Sequence, residues 1–437
     1  MRPRCSSLAL ILVGFSLLAT AQAASQHLDL STTPDWTAVE TRLGAALGSH
    51  VSNAGDVNGD GFGDILVGAP RWDNFVEAFE GRASLYLGSA TGLRPTPAWT
   101  FEGNEEFARL SLARSAGDVN GDGFGDVILG APEYGRFTVQ GRAWLILGSS
   151  TGLSATPAWI AGGSHEEAVF GYVAGVGDVN GDGFDDVMVG APGQNFNLFD
   201  AEGAAFLFLG SSNPTAKRDQ VFKGEQPYSG FGFVAGAGDI NGDGFADVVI
   251  GSPGYIGDVS GGRVYVYKGA NRGLRPKPVA VLEIEGETVG LEQGSAGDIN
   301  ADGFGDFYVI SGVYTAQKIY VYLGSRHFGK LQPDLVLQPD PPFSDLTFAS
   351  AGDVDGDGFG DVVMGVPAQD RAFVYRGTAA GLDPVPLQIL SGAQVGEFFG
   401  TSVSTAGNVN GDGFDDVIVG APNYSPGGRA LVFHGGP

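Results

Sequence analysis

The amino-acid sequence predicts an all-β protein, a seven-bladed β-propeller, over most of its 437 residues. Three observations predict this fold. One acidic, glycine-rich segment recurs seven times at intervals of 55–62 residues, each copy is followed by short apolar runs bounded by Gly and Pro, and no stretch shows helical periodicity of useful length. Units of this kind are typical of propeller blades with four short strands. A linear β-solenoid would also be repetitive, but its rungs are much shorter.

Blade boundaries follow from the repeat. We expect the blade units to span about 41–102, 103–162, 163–223, 224–284, 285–337, 338–391 and 392–437, the last together with 27–40. Unit seven ends after a strand-like run at 430–433 without a fourth strand, while Thr33-Pro34-Asp35-Trp36 repeats Thr96-Pro97-Ala98-Trp99 of unit one. We therefore predict that 27–40 completes blade seven and closes the ring, which removes exposed strand edges.

The first 23 residues have the pattern of a secretory signal peptide. Arg2 and Arg4 precede an apolar run, and Ala21-Gln22-Ala23 is a cleavage-site pattern of small residues. The run is shorter than a bilayer span of ~20 residues, so we favour cleavage over an uncleaved anchor and expect no transmembrane segment. The propeller, 24–437, is then expected to be secreted or periplasmic. It would contain no disulfide, because Cys5 is the single cysteine.

Composition argues against two function classes. The chain has 50 Asp plus Glu against 24 Lys plus Arg, with a net charge of −26, whereas a nucleic-acid binder needs a basic face. None of the five histidines lies in a recognisable catalytic motif, and no off-repeat cluster of Lys, Arg, His or Tyr lies on one inner strand. We therefore expect a non-enzymatic monomer that binds no nucleic acid.

The repeated segment has the ligand spacing of a calcium loop. It reads Asp-x-Asn-Gly-Asp-Gly-Phe-x-Asp, with oxygen side chains at positions 1, 3, 5 and 9 and a main-chain carbonyl ligand at position 7. Oxygen donors without His or Cys favour Ca²⁺, since Mg²⁺ requires a smaller, stricter octahedron. We predict up to seven Ca²⁺ ions, one per loop. The candidate ligands are Asp56, Asn58, Asp60, Phe62 and Asp64; Asp118, Asn120, Asp122, Phe124 and Asp126; Asp178, Asn180, Asp182, Phe184 and Asp186; Asp239, Asn241, Asp243, Phe245 and Asp247; Asp298, Asn300, Asp302, Phe304 and Asp306; Asp353, Asp355, Asp357, Phe359 and Asp361; and Asn408, Asn410, Asp412, Phe414 and Asp416.

Two other interpretations of these loops fit less well. An EF-hand needs flanking helices and an acidic residue at position 12, whereas position 9 here opens a strand-like run and position 12 is apolar, as in Val67 and Leu129. Metal-free Asn-Gly and Asp-Gly turns are the second interpretation. Three carboxylates held in one tight loop without a cation, however, raise one another's pKa and cost stability.

The seven loops differ in detail. Asn408 replaces the first Asp of loop seven, so we predict the weakest site there, and Asp355 replaces Asn in loop six, which should tighten that site. Ala301 replaces Gly at position 4 of loop five. This replacement costs stability if the residue needs a positive φ.

The repeat resembles a known family. Phe170-Gly171 with Gly190-Ala191-Pro192, and Phe231-Gly232 with Gly251-Ser252-Pro253, are similar to the motifs that name the FG-GAP repeat, the seven-bladed propeller of integrin α chains. The resemblance covers essentially 24–437. It implies that the cation loops join strands one and two of each blade on the lower face and stiffen the ring. Unit five departs from the pattern, with Ile310-Ser311-Gly312 in place of Gly-Ala-Pro, and units two, five and six lack Phe-Gly.

Aromatic residues in the loops after Gly-Ala-Pro are the candidate ligand contacts. Such rings suit stacking on sugars or anchoring a protein partner, although apolar loop residues also pack their own loops. They are Trp72, Phe75, Phe79, Tyr134, Phe137, Phe196, Phe199 and Tyr255. We expect a secreted, calcium-binding, non-enzymatic module for adhesion or for recognition of an extracellular protein or glycan. The alternative is a calcium-dependent polysaccharide lyase or glycan hydrolase with its site in the propeller channel.

Overall fold

The computed structural model describes residues 12–16, 30–196, 201–257, 261–312, 316–329, 332–340 and 343–437. Seven of its sheets are blades, each built on four antiparallel strands, which we name inner, second, third and outer. The inner strands are His50–Gly55, Leu112–Gly117, Tyr172–Gly177, Phe233–Gly238, Glu292–Gly297, Thr347–Gly352 and Ser402–Gly407. The second strands are Asp64–Ala69, Asp126–Ala131, Asp186–Ala191, Asp247–Ile256, Asp306–Ser311, Asp361–Val366 and Asp416–Ala421.

The two remaining strands of each blade lie towards the outside of the ring. The third strands are Arg82–Tyr86, Arg142–Ile146, Ala204–Phe208, Gly261–Tyr267, Lys318–Tyr322, Arg371–Tyr375 and Arg429–Phe433. The outer strands of blades one to six are Trp99–Glu102, Trp159–Gly162, Gln220–Lys223, Ala280–Leu282, Leu335–Asp340 and Gln388–Ser391. The predicted fold class, an all-β seven-bladed propeller, is confirmed.

An N-terminal strand completes blade seven, as predicted. Trp36–Val39 pairs antiparallel with Arg429–Phe433 and is the outer strand of that blade. Trp36 Nε1 donates to the carbonyl of Arg94 at 3.0 Å, the same bond that Trp99 makes to Ser154 one blade later. The ring is therefore closed by pairing the two ends of the propeller.

The hydrophobic core is divided into seven clusters, one between each pair of neighbouring blades. Between blades one and two, Leu66 and Leu85 lie in the same cluster as Val127, Leu129 and Trp144. The first six residues of every second strand are buried. A strand covered on both faces accepts apolar residues at successive positions, which explains the continuous apolar runs in the sequence.

Three small elements lie outside the blade pattern. Leu12–Ser16 forms a strand parallel to Leu335–Asp340, Pro367–Gln369 is a single 3₁₀ turn, and Gly377–Thr378 pairs with Gly381–Leu382. The rest of 1–23, where we predict a signal peptide, and residues 27–29 lie outside the described residues. The described part of the chain contains no helix that is long and apolar enough to cross a membrane.

The strand order gives the ring two different ends. Loops from inner to second strand lie at one end, together with those from third to outer strand; the other two kinds of loop lie at the opposite end. All seven acidic segments connect an inner strand to a second strand. We call their end the acidic-loop end, number its loops one to seven by blade, and call the opposite one the far end.

Candidate metal sites and the central channel

In each acidic loop the side chain at position 1 organises the backbone. In loop one, Asp56 Oδ1 accepts hydrogen bonds from the amides of Gly59 and Asp60 at 2.7 and 3.1 Å, and Oδ2 accepts one from Gly61 at 2.8 Å. Asn58 Nδ2 donates to Asp60 Oδ2 at 2.9 Å. These contacts gather the polar side chains of positions 1, 3 and 5 into one compact loop.

The carboxylate at position 9 is buried beneath the loop. Asp64 of loop one is fully buried and accepts two hydrogen bonds of 2.9 Å, from the amides of Val57 and Gly88. Burial, with a contribution from the carboxylates of Asp60 and Asp56, raises the pKa of Asp64 to about 7 against the effect of these two bonds. The pKa is likewise raised to about 7 in Asp126, Asp186, Asp306, Asp361 and Asp416, and to about 6 in Asp247. A cation nearby would favour the ionised form of each carboxylate.

The acidic loops are joined to one another around the ring. The amide at position 8 of each loop donates to the carbonyl at position 1 of the preceding loop, and the bond from Gly63 to Asn408, 2.9 Å long, closes the circle of seven. The ring at position 7 lies close to position 4 of the preceding loop: a Cβ added to Gly59 would lie 2.7 Å from the Phe124 ring. Each loop therefore helps to fix the position of its neighbour.

The residues of the loops fit a hard divalent cation. Positions 1, 3, 5 and 9 supply carboxylate and amide oxygens, and position 7 supplies a carbonyl, without any His or Cys. In loop six, one oxygen from each of Asp353, Asp355 and Asp361 lies within 4.8 Å of the others. One Ca²⁺ with ligands at about 2.3–2.6 Å can bridge such a separation. The loops thus have the donor chemistry of a structural calcium site.

Loop six is also contacted by a positively charged side chain, which the sequence analysis missed. Arg376, directly after the third strand of blade six, forms ion pairs with Asp355 and, at 3.6 Å, with Asp357. Because the Asp355 side chain is only 4% exposed, the guanidinium opposes a second cation at the same oxygen. The expected tightening by Asp355 stays a prediction. The signal in the sequence is a departure from the repeat, since the corresponding residues of blades one, two, three and five are Leu87, Leu147, Leu209 and Leu323.

Loops five and seven each depart from the common geometry at one position. Position 4 has a positive φ throughout, 68–76° for the six glycines and 53° for Ala301, so Ala301 has the left-handed strain that glycine avoids. In loop seven, Asn408 Oδ1 accepts from Gly411 and Asp412 at 2.7 and 3.2 Å. The second carboxylate oxygen, which accepts the position-6 amide in loops one to six, is here an amide nitrogen that cannot accept.

Two of the predicted ligand-contact rings are packed against other parts of the protein. Trp72 is only 7% exposed, with the guanidinium carbons of Arg42 and Arg82 at 4.9 and 4.5 Å from its ring centre. Tyr134 is half-buried and packs edge-on against Trp144. These two rings are therefore covered by the protein, as the alternative expects, but their partners lie outside their own loops.

Other predicted rings are more accessible. Phe75 and Phe137 are 88% and 86% exposed at the far end. Phe79 and Phe196 are partly exposed, and Tyr255 is half-buried. Lys223 and Arg263 lie over the rings of Phe196 and Tyr255, respectively. Phe199 lies outside the described residues. A ligand surface at this end stays a prediction, and Phe75 and Phe137 are its most accessible members.

The channel at the centre of the ring contains a cluster of titratable residues. A cavity of about 400 Å³ is lined by His50 of blade one, Arg114 of blade two, and Glu292 and Tyr308 of blade five. Burial raises the pKa of Glu292 to about 7 and lowers that of His50 to about 4, and Arg114 opposes the first shift and adds to the second. These residues come from different strands, so the expectation that no single inner strand carries such a cluster is not contradicted; the ring brings together a cluster that the sequence analysis did not consider.

Comparison with known families agrees with the repeat. The model of the family described as FG-GAP repeat matches residues 47–86, 115–146, 170–208, 231–267, 347–381 and 399–433. These segments fall in six blades and omit blade five, where the sequence departs from Gly-Ala-Pro.

Curated relatives include integrin α chains and a phospholipase. Integrin alpha-5 of Xenopus laevis is 28% identical over 289 residues, which cover 63% of this chain and 22% of the relative. Integrin alpha-PS2 of Drosophila melanogaster is 32% identical over 251 residues, 53% of this chain and 16% of the relative. Phosphatidylinositol-glycan-specific phospholipase D of Bos taurus is 32% identical over 183 residues, which cover 39% of this chain and 22% of the relative. The chain thus aligns with 16–22% of the length of these relatives.

Solved structures agree on the fold alone. The WD40 domain of Toxoplasma gondii coronin superposes with a TM-score of 0.51 over 93% of this chain and 88% of its own. BBS1N from its complex with ARL6DN superposes with a TM-score of 0.55 over 92% of this chain and 96% of its own. Both are 9% identical in sequence. From the repeated motif, the closed ring of seven blades and the six matched segments together, the chain belongs to the FG-GAP repeat family.

Proposed function

We propose that this chain is a secreted, calcium-binding propeller that recognises an extracellular protein or glycan and acts in adhesion or ligand recognition, not in catalysis. The observation that carries the proposal is the closed circle of seven acidic loops, each rich in oxygen ligands and each hydrogen-bonded to the next. The integrin α relatives support a role in recognition. The predicted signal peptide supports secretion.

Calcium acts as a structural ion at the acidic-loop end. In each loop the ion binds the side-chain oxygens at positions 1, 3, 5 and 9 and the carbonyl at position 7. It offsets the repulsion between the carboxylates of the loop, and its binding raises the free energy of unfolding by mass action. Because neighbouring loops are joined by main-chain hydrogen bonds, the ions stiffen the whole ring.

Ligand recognition takes place at the far end. Loops on a rigid scaffold are common binding surfaces, and this end presents the exposed rings of Phe75 and Phe137. Exposed aromatic rings lose little conformational entropy when they bind and give a large contact area. The calcium ions act on this surface indirectly, by holding the blades that carry its loops.

Binding of the purified chain to panels of glycans and extracellular proteins, in excess calcium and in EDTA, tests the proposal. We expect at least one ligand in calcium, weaker binding in EDTA, and a loss of at least about fivefold in a Phe75→Ala, Phe137→Ala variant. Val221→Ala, on an outer strand, is the matched control and should bind normally. Ligand binding that is the same in EDTA and in the double variant would contradict the proposal.

One observation favours the enzymatic alternative. The channel brings His50, Arg114, Glu292 and Tyr308 to one cavity, and a carboxyl group with a pKa near 7 is suited to acid–base chemistry. A panel of acidic and neutral polysaccharides incubated with the chain, followed by measurement of new reducing ends and of unsaturated products, separates the two functions. Turnover that is lost in Glu292→Gln would establish the enzyme.

A further inference from the structure

The channel wall is the least repetitive surface of an otherwise repetitive protein. Seven inner strands place their first residue beside the cavity of about 400 Å³. These residues are His50, Leu112, Tyr172, Phe233, Glu292, Thr347 and Ser402. No two are alike, whereas position 7 of the acidic loops is Phe in every blade. A wall that differs at every blade provides one asymmetric site, of a volume typical of small-molecule pockets.

One positive charge faces this cavity. Arg114 is the only Lys or Arg among the described residues that line it. The corresponding position of the other inner strands holds only small residues: Ser52, Ala174, Ala235, Gly294, Ala349 and Ser404. Arg114 is exposed to solvent in the channel, although the chain as a whole is strongly acidic.

The guanidinium of Arg114 has no direct partner among the described residues. It makes no hydrogen bond or ion pair with them, and its interaction with Glu292, the acid of the same cavity, is an electrostatic one that lowers the pKa of Glu292. An exposed guanidinium between converging walls is preorganised for a planar, bidentate anion such as a carboxylate. Because burial raises the pKa of Glu292 to about 7, this acid only partly offsets the charge of Arg114 near neutral pH, and the cavity favours an anionic ligand.

Polar atoms in the same wall lack partners. Gln293 is only 8% exposed, and its Oε1 is buried without a hydrogen bond, while its Nε2 donates to the carbonyl of Phe233 at 2.7 Å. His50 Nδ1 is also buried without a partner. Both residues line the cavity. The Gln293 Oε1 atom lies against Gly251 of blade four, so of these two residues His50 is the one that can bind a hydroxyl group of a ligand.

The cavity opens towards a second one that contains charges of both signs. This second cavity, of about 540 Å³, shares Ser49, His50, Leu112 and Tyr172 with the first. Its wall includes Arg71 and the ion pair of Arg109 with Glu133. The Pro residues that end the second strands line it too, so it lies at the far end. Arg71 forms no ion pair with another described residue, and its charge raises the local concentration of an anionic ligand.

We propose that the central channel binds a small sugar acid, a polyol that carries one carboxylate, with Arg114 binding the carboxylate and His50 binding a hydroxyl group. The hydroxyl group of Tyr308 and the rings of Tyr172 and Phe233 complete the wall on either side. This inference rests on the proposed recognition function and adds a second site to it. The channel site is separate from the ligand surface proposed at Phe75 and Phe137.

Calorimetric titration of the full chain in excess calcium tests the site, with D-glucuronate, neutral D-glucose and succinate as probes. We expect D-glucuronate to bind at least roughly tenfold more tightly than either other probe. D-Glucose lacks the carboxylate and succinate lacks the hydroxyl groups. Equal binding of all three, or no binding of D-glucuronate, would overturn the proposal.

Variants assign the binding to the channel. Arg114→Gln should weaken D-glucuronate at least roughly tenfold and leave the melting temperature unchanged, because its side chain is exposed and unpaired. Arg326→Gln removes the same charge from another exposed site and should bind normally. If panel ligands bind in calcium but Arg114→Gln binds D-glucuronate like the unmodified chain, the channel site is wrong and the recognition function stands. If no panel ligand binds at all, the recognition function itself is wrong.

Discussion

The acidic-loop end and the channel wall are formed by the same seven repeats, but the first keeps the same residues in every blade and the second changes them. At the acidic-loop end, position 7 is always Phe, position 9 is always a buried Asp, and one main-chain hydrogen bond recurs between all neighbouring loops. In the channel, the first residue of the inner strand differs in every blade. The repeated positions are therefore those that we propose to bind calcium and stabilise the ring, and the positions that depart from repetition are those that we propose to select a ligand.

The largest expected effect is the loss of stability when ring closure is weakened. It tests whether the acidic-loop end and the ligand surface at the far end both depend on a closed ring. Trp36→Ala removes a side chain that is 8% exposed, stacks edge-on with Tyr86 and donates to the carbonyl of Arg94. We expect the free energy of unfolding to fall by about 3 kcal/mol or more, together with ligand binding at the far end. Leu43→Ala, 83% exposed in the next turn, is the control. Denaturant unfolding that is equal for the two variants would show that closure contributes little.

The next prediction compares the contributions to stability of one carboxyl group in an acidic loop and one in the channel. Asp186→Asn places a donor where two main-chain amides now donate to a buried carboxylate, from Val179 at 2.9 Å and Gly210 at 2.7 Å. We expect a loss of about 2–3 kcal/mol in unfolding free energy. Glu292→Gln in the channel should cost less than about 0.5 kcal/mol, because Glu292 is not held in such a network. If Glu292→Gln lowers the free energy of unfolding as much as Asp186→Asn, the distinction between the acidic loops and the channel wall is wrong.

A smaller effect on stability is expected at Ala301, the one loop position 4 that is not glycine. Ala301→Gly restores the glycine of loops one to four, six and seven at a residue with a φ of 53°. We expect stabilisation by about 1 kcal/mol, since a left-handed conformation costs an L-residue about that much. Ala380→Gly replaces an exposed alanine and should be neutral or destabilising. If both variants change the melting temperature equally, strain at Ala301 is not the cause.

The smallest effect concerns pH in the channel. Burial raises the pKa of Glu292 to about 7, and the facing groups are Arg114, which opposes the shift, His50 and Tyr308. The folded state therefore retains a proton that the unfolded state loses near pH 4.5, so this group's contribution to stability is lost as pH rises towards and past 7. The stability difference between the unmodified chain and Glu292→Gln, measured in calcium, should fall over this range. A difference that is constant or rises with pH would contradict the assignment.

Repetition explains how much could be predicted from the sequence. The fold and blade-seven closure were predictable because the motif around Asp56 and the copy of Trp99 at Trp36 occur in the same relation in successive units. The loop geometry was equally local, since side chains within nine residues make most of its bonds. Ala301 could be identified from the six glycines at its position, and its positive φ agrees.

The features that escaped prediction depend on contacts between blades. His50 and Glu292 are about 240 residues apart in sequence and meet only because the ring closes. Arg376 was a visible departure from the leucines of other blades, but its ion pair with Asp355 requires the end of the third strand to lie beside the loop. The burial of Trp72 beside Arg42 and Arg82 likewise depends on the N-terminal segment, which packs against blade one.

The most direct test of the central claim, that the acidic loops bind calcium and thereby stiffen the ring, is the melting temperature of the full chain in excess calcium and in EDTA. Each occupied site adds about 2.7 kcal/mol when calcium is a hundredfold above its Kd. Several sites together predict a melting temperature at least about 10 °C higher in calcium. Equal melting temperatures in calcium and in EDTA would contradict the claim.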